Sequence, residues 1–198
     1  MAPGRQDSHL PLTDQELFDL LYEEWSEPVY RYLVHLIGRG GLAEDLFQDT
    51  WMKAIENHQQ LRDHERFGPW LFRIARNLAF NQLRQHRRKG QVWILSNLTN
   101  HEDGEVEDLI GRQPGNLPDP RQRAIDEQRR GILQQVITDL ELQTQEMLQL
   151  RYFEHLTLPE VATVLGVPLG TVCTKIHRAL KAIRGVMQAR GFRELGAM

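Results

Sequence analysis

Arg73, Arg76, Asn77, Phe80, Asn81 and Arg84 fall at offsets of 0, 3, 4, 7, 8 and 11 residues, the repeat of one continuous helical stripe. Guanidinium groups pair with phosphates, asparagine amides reach base edges in bidentate fashion, and an exposed phenylalanine is a platform for a stacked base. No acidic residue interrupts the stripe. Trp70, beside Phe67 and Phe72 at the start of the same segment, adds apolar surface that either wedges between bases or enters a core. A surface helix with solvated arginines is the plainer alternative. The set of residue types favours nucleic acid.

A second constellation lies in HLTLPEVATVLGVPLGTVCTKIHRALK, which starts at His155. Thr157 and Glu160 have the spacing of a capping box, and Val161, Ala162 and Leu165 then share one helical face. Gly166 supplies the positive φ that ends a helix, and Pro168 holds Val167 extended so that the chain turns. Val172, Ile176, Ala179, Leu180, Ile183 and Met187 continue as an apolar stripe, opposite Cys173, Thr174, His177, Arg178 and Lys181. This is the pattern of a helix-turn-helix whose second helix enters a major groove. An ordinary helical hairpin with a solvated charged face is the plainer alternative, which the Ala162, Gly166 and Val172 spacing disfavours.

A third set is acidic. Asp45, Gln48, Asp49 and Met52 share the face of a helix opposite its apolar stripe. Paired carboxylates raise acid–base or metal chemistry. Neither a third ligand, a histidine partner nor a glycine-rich loop accompanies them, so the face reads as a docking surface for a basic protein or as plain solvated surface.

Helices must carry all three sets. Leu17, Leu20, Leu21, Tyr30, Leu33 and Ile37 anchor a first helix, bent near Pro28 and ended at Gly38. A second, near residues 42–58, buries Ala43, Leu46, Phe47, Trp51, Ala54 and Ile55; a third, near 67–88, buries Leu71, Ile74, Ala75, Leu78 and Ala79. The segment 96–120, with HEDGEVED and a Gly/Pro cluster, is too polar to bury a core and reads as a linker. Periodicity returns with Ile132, Leu133, Val136, Ile137 and Leu140, then Met147, Leu148, Tyr152 and Phe153. No strand alternation or internal repeat is present. The expected fold is all-α, two small helical domains on a flexible acidic linker.

Composition narrows the function. The 198 residues contain no apolar run near the roughly 20 needed to span a bilayer, and the first fifteen carry no secretion signal. Cys173 is the single cysteine and the eight histidines are scattered, so neither a disulfide nor a metal cluster is expected, and nothing calls for a cofactor. The reading is a cytoplasmic protein without membrane insertion. The net charge of −3 conceals segregation: from Asp14 to Glu65 twelve acidic residues face four basic ones, whereas from Arg66 to Lys89 seven basic residues meet no acid. Residues 91–127 are acidic again, and from Thr171 to Arg193 six basic residues meet no acid. Two basic blocks imply two nucleic-acid contacts on one chain.

AEDLFQDTWMKAIEN, FGPWLFRIARNLAFNQLRQHRR and LRYFEHLTLPEVATVLGVPLGTVCTKIHRALKAIR, in that order, resemble an extracytoplasmic-function (ECF) sigma factor, a small member of the sigma-70 family of bacterial RNA polymerase initiation subunits. The likeness covers residues 16–88 and 128–184. It implies an N-terminal tail (1–14), sigma domain 2 as a three-helix bundle (15–92), a linker (93–125), sigma domain 4 with the helix-turn-helix (126–190) and a C-terminal tail (191–198). It further implies no catalysis by the chain itself. Asp45, Gln48, Asp49 and Met52 would meet the β′ clamp helices of core polymerase, and domain 4 the β flap. His64, in a loop that captures a flipped base, would join Trp70, Arg73, Arg76, Asn77, Phe80, Asn81 and Arg84 in reading and melting the minus-10 element. Arg151, Thr171, Cys173, Thr174, Lys175, His177, Arg178 and Lys181 would contact the minus-35 element. An anti-sigma factor is the implied regulator.

Cys173 stands where family members commonly carry Arg or Lys, Pro168 replaces a hydroxyl cap, and Leu180 replaces a frequent basic residue; these departures bear on which minus-35 sequence is read. Two other readings stand on the residues alone. One is a dimeric helix-turn-helix repressor or activator of duplex DNA; the other is a nucleic-acid enzyme with Asp45 and Asp49 as metal ligands.

Overall fold

Glycine and proline punctuate the chain where the helices begin and end. The computed structural model describes residues 14–60, 66–88 and 120–192. Helix α1 spans Asp14–Ile37, with Pro28 inside it and Gly38 at φ 86° closing it. Helix α2 spans Gly41–Asn57, followed by a short 3₁₀ turn, His58–Gln60, and helix α3 spans Phe67–Arg88. Helix α4 spans Pro120–Thr138 and helix α5 Leu142–Leu148, continued by a π-helical turn at Gln149–Phe153. Helices α6 (Leu158–Leu165) and α7 (Leu169–Ala189) complete the chain. Among the described residues all regular structure is helical, and no helix is long and apolar enough to cross a membrane.

Helices α1, α2 and α3 pack pairwise into a bundle. Its core is aromatic: Phe72 meets Tyr32 edge-on at 5.2 Å and Trp25 at 6.0 Å, and Trp51 lies between Phe18, Phe47 and Phe67. Offset and edge-to-face rings of this kind add to the area they bury. Gly68 is required by this packing, because a Cβ there would lie 2.4 Å from the Trp25 ring. Leu20 and Ile55 depart from expectation, at 53% and 54% exposure. Ile55 sits at the margin of the stripe formed by Ala43, Leu46, Thr50 and Ala54, and Thr50 is buried there because its hydroxyl donates to the Leu46 carbonyl at 2.6 Å.

The second half is built on α7, which packs on α4, α5 and α6 through Val172, Ile176, Ala179, Ile183 and Met187. The turn before it follows the sequence pattern. Thr157 donates its amide and its hydroxyl to Glu160 Oε2 at 2.6 and 2.7 Å, closing a capping box. Gly166 is left-handed at φ 66°, and the Val167 amide donates back to the Ala162 carbonyl at 3.1 Å, a Schellman ending. Gly191 and the Phe192 amide repeat that device at the end of α7. Helix α4 starts at Pro120, inside the stretch assigned from sequence to the linker. Proline suits a first helical position, and the Arg- and Gln-rich residues after it are good helix formers. The rest of the expected linker, His64 and most of its loop, and both tails lie outside the described residues.

Candidate nucleic-acid and protein interfaces

On α2 the apolar stripe turns inward, which leaves Asp45, Gln48, Asp49 and Met52 outward, all exposed. Met52 is 59% exposed and Ile55 is nearby, so the acidic face carries an apolar element. Among the described residues no group of three carboxylate, imidazole or thiol side chains is placed to hold a metal. The face pairs carboxylates, which suit a basic surface, with apolar side chains, which suit close packing.

The stripe on α3 divides in two. Arg73, Asn77, Asn81 and Arg84 are exposed, and Trp70 is half-buried against Phe67, ring centroids 5.7 Å apart. Arg76 and Phe80 are occupied. Arg76 Nε donates to Glu146 Oε1 at 2.8 Å and Nη2 to Oε2 at 3.4 Å, while the guanidinium carbon lies 4.5 Å above the Phe80 ring. Glu146 comes from α5, in the other half of the chain. Tyr32, buried on α1, donates its hydroxyl to the same Oε1 at 2.6 Å. Burial, then the Glu146 charge, pushes the Tyr32 phenol well above its ordinary range. For Arg76, burial pulls downward, but the hydrogen bond and charge of Glu146 outweigh it and hold the guanidinium protonated.

On α7 the face opposite the apolar stripe is open: Cys173, Thr174, His177, Arg178 and Lys181 are exposed, with Thr171 half-buried beside them. Lys175 is engaged, donating to Glu141 Oε2 at 2.6 Å and Gln143 Oε1 at 2.9 Å, which braces the helix on the α4–α5 corner. Arg151 lies in the π-helical turn and donates to the Leu156 carbonyl at 2.9 Å, holding the entry to α6. His155, just before, has φ 55°, the left-handed region.

Sequence reasoning missed the buried polar residues of this half. Gln145 Nε2 donates to the carbonyls of Thr138 and Leu140 at 3.0 and 2.7 Å, satisfying orphan acceptors at the end of α4. Glu154, whose side chain is fully buried, accepts from Gln149 Nε2 at 2.8 Å and from Arg31 Nη2 at 2.8 Å. The available signal was TQEMLQLRYFE, where polar residues fall on every face of a segment that is otherwise strongly apolar.

A sequence model of Sigma-70 region 2 matches residues 21–89, and one of Sigma-70, region 4 matches residues 130–183; together they span more than half of the chain. The chain is 27% identical over 171 residues to the ECF RNA polymerase sigma factor SigW of Bacillus subtilis, covering 86% of this chain and 89% of that one. It is 28% identical over 176 residues to the ECF RNA polymerase sigma factor SigL of Mycobacterium tuberculosis, covering 88% and 91%. Its fold is similar to that of the sigma factor RpoE solved with the anti-sigma factor NepR from Bartonella quintana (TM-score 0.58, 19% identity, 86% and 96% covered). It is also similar to that of CnrH solved with the cytosolic domain of CnrY (TM-score 0.55, 19% identity, 89% and 90% covered). With the two region models together matching more than half of it, and relatives that align along most of its length, the chain belongs to the ECF group of the sigma-70 family and is a transcription-initiation factor rather than an enzyme.

Proposed function

We propose that this chain is a dissociable subunit that docks on bacterial core RNA polymerase, positions it on a promoter through minus-35 and minus-10 contacts, and opens the duplex. In this reading residues 15–92 form the docking and melting unit and residues 126–190 the upstream anchor. The α2 face of Asp45, Gln48, Asp49 and Met52 engages the β′ clamp helices, and the second half engages the β flap. On α3, Trp70, Arg73, Asn77, Asn81 and Arg84 serve the minus-10 element, with Arg76 and Phe80 joining once they are released from Glu146. On α7, Thr171, Cys173, Thr174, His177, Arg178 and Lys181 serve the minus-35 element, while Lys175 and Arg151 hold the reading helix in place.

One observation carries the proposal: an acidic docking face, a basic face rich in amides and aromatics, and a groove-reading face occur in this order on three separate helices. A duplex repressor would need the third face alone. Flipping and unstacking bases costs a few kcal/mol per step, and a stacking platform flanked by arginines is suited to offset it. An anti-sigma partner is supported by the sigma factor RpoE, of similar fold, which was solved in complex with the anti-sigma factor NepR.

The test is reconstitution. The purified chain and bacterial core polymerase are incubated with a pool of random promoters, and the transcripts that start are sequenced. A defined promoter is expected to emerge, with no stable binding to it by the chain alone. Asn81→Ala should then impair open-complex formation on that promoter while leaving upstream contact intact. Failure of the chain to associate with core polymerase, or strong duplex binding without it, overturns the proposal.

A further inference from the structure

The apolar stripe of α7 sets the depth of that helix in the second half, but it does not set its roll. Val172, Ile176, Ala179, Ile183 and Met187 bury aliphatic and thioether surface, and such contacts are non-directional. A rotation of a few degrees about the helix axis therefore costs them little. Recognition is less tolerant, because binding side chains must be held within about 0.5 Å and 10–20° of their productive geometry. A directional contact on the flank of α7 supplies what the stripe cannot.

Lys175 makes that contact. It lies three residues after Val172 and four before Ala179 on the buried side, and four after Thr171 and three before Arg178 on the other, so it borders both faces. Its ammonium donates to Glu141 Oε2 at 2.6 Å and to Gln143 Oε1 at 2.9 Å, and its side chain is 26% exposed. Arg178, Lys181 and Arg184 on the same helix are exposed. The two acceptors are themselves fixed at the start of α5. There the Glu141 carbonyl accepts from the amides of Thr144 and Gln145 at 2.7 and 3.0 Å, and the buried Gln145 side chain ties the turn to Thr138 and Leu140 at the end of α4.

We propose that Glu141 and Gln143, which lie outside the helix-turn-helix, are positioning residues for upstream recognition. By holding Lys175 they fix the roll of α7, and thereby how sharply Thr174, His177 and Arg178 discriminate between base pairs. The inference rests on the assignment of α7 to the minus-35 element made above. Residue type alone would give Lys175 to a phosphate. Here Glu141 already neutralises the ammonium, so Lys175 displaces no counterion from DNA and adds nothing to the salt dependence of binding. An ion pair whose carboxylate is 65% exposed contributes little to folding stability, so its loss shows in the pose of the helix rather than in melting temperature. The pair can also be reversed in sign, because the Gln143 amide can turn over and donate where it now accepts.

The test loads the full chain onto bacterial core polymerase and measures binding to a duplex pool with a randomised upstream element on the promoter found by reconstitution. Two quantities are read for each chain. One is discrimination, the affinity for the best upstream element over that for its single-mismatch neighbours. The other is the slope of log affinity against log salt on the best element. The chains are wild type, Lys175→Met, Glu141→Gln, Lys175→Glu, and the exchange that combines Glu141→Lys with Lys175→Glu; Lys181→Ala serves as a phosphate-contact reference. Lys175→Met keeps the packing of the stem and removes the charge. Circular dichroism and thermal unfolding check each fold, and if the exchanged chain unfolds, Lys175→Met and Glu141→Gln carry the test.

Lys175→Met is expected to lower discrimination about tenfold with the salt slope unchanged. Lys181→Ala should reduce that slope by about 0.9. Glu141→Gln, still an acceptor, should lower discrimination by less. Lys175→Glu should lose it, and the exchange should restore it to within about twofold of wild type, which a lysine acting directly on DNA could not achieve. A slope lowered by about 0.9 in Lys175→Met overturns the inference. So does unchanged discrimination in that variant, or a folded exchanged chain no better than Lys175→Glu alone. Absence of any upstream preference in the wild type with core polymerase sinks the functional reading and this inference with it, whereas a wild type and Lys175→Met that discriminate equally well sink only the positioning role.

Discussion

Helices α7 and α3 both present arginine-bearing faces suited to nucleic acid, yet one face is open and the other is shared. On α7, Val172, Ile176, Ala179, Ile183 and Met187 complete an apolar stripe against neighbours in the same half, and Cys173, Thr174, His177, Arg178 and Lys181 are left exposed. On α3 the apolar stripe is likewise buried in its own bundle, but the polar face also forms a wall toward the other half, and Glu146 takes Arg76. The difference teaches that amphipathic pattern decides which residues leave the core. It does not decide whether those residues reach solvent or a neighbouring charged surface.

Substitutions can break or sharpen this comparison. Phe72→Ala should have the largest effect, about 3–5 kcal/mol of stability for a fully buried ring, read by denaturant unfolding. Met187→Ala, equally buried in the second half, should cost about 2–5 kcal/mol and leave the aromatic bundle intact. If both variants show one identical cooperative transition, the halves do not unfold separately and the comparison fails. Gly68→Ala should cost about 1–3 kcal/mol by overpacking against Trp25, and trimming Trp25 in the same chain should recover most of it.

Smaller effects test the open face. Arg178→Ala should weaken polymerase-dependent binding to the upstream element by about 1–3 kcal/mol, measured by gel shift with and without competitor sequence, and leave melting temperature unchanged. Thr157→Ala should cost about 1 kcal/mol, because it removes the hydroxyl from the capping box that starts α6. His155→Gly should gain about 0.5–1 kcal/mol, since relief of a left-handed backbone exceeds the added entropy of glycine in the unfolded chain.

Much of this could be read before any coordinates. Local chemistry wrote the turn from Thr157 to Pro168: the cap, the left-handed glycine and the extended residue before proline each act within a few bonds, and all three are found. The same holds for the outward set on α7, where period alone separates Cys173 and Arg178 from Val172 and Ile176. Errors arose at margins. Ile55 has the right residue type and nearly the right angle, but burial there depended on whether a third helix reached that far. Helix α4 began early because polarity was read as absence of structure, although arginine and glutamine form helix readily.

The sequence by itself determined the helices, their inward faces and the order of the acidic face on α2 and the basic faces on α3 and α7, because periodicity and capping are local and are written in residue type. Only the tertiary structure decided that Glu146 and Glu154 lie buried among Tyr32, Arg76 and Arg31. A carboxylate in an amphipathic helix carries no mark of its partner when that partner lies 70 to 123 residues away. Its burial depends on long-range packing that brings a cation and a hydroxyl to one point, and no local period encodes that meeting.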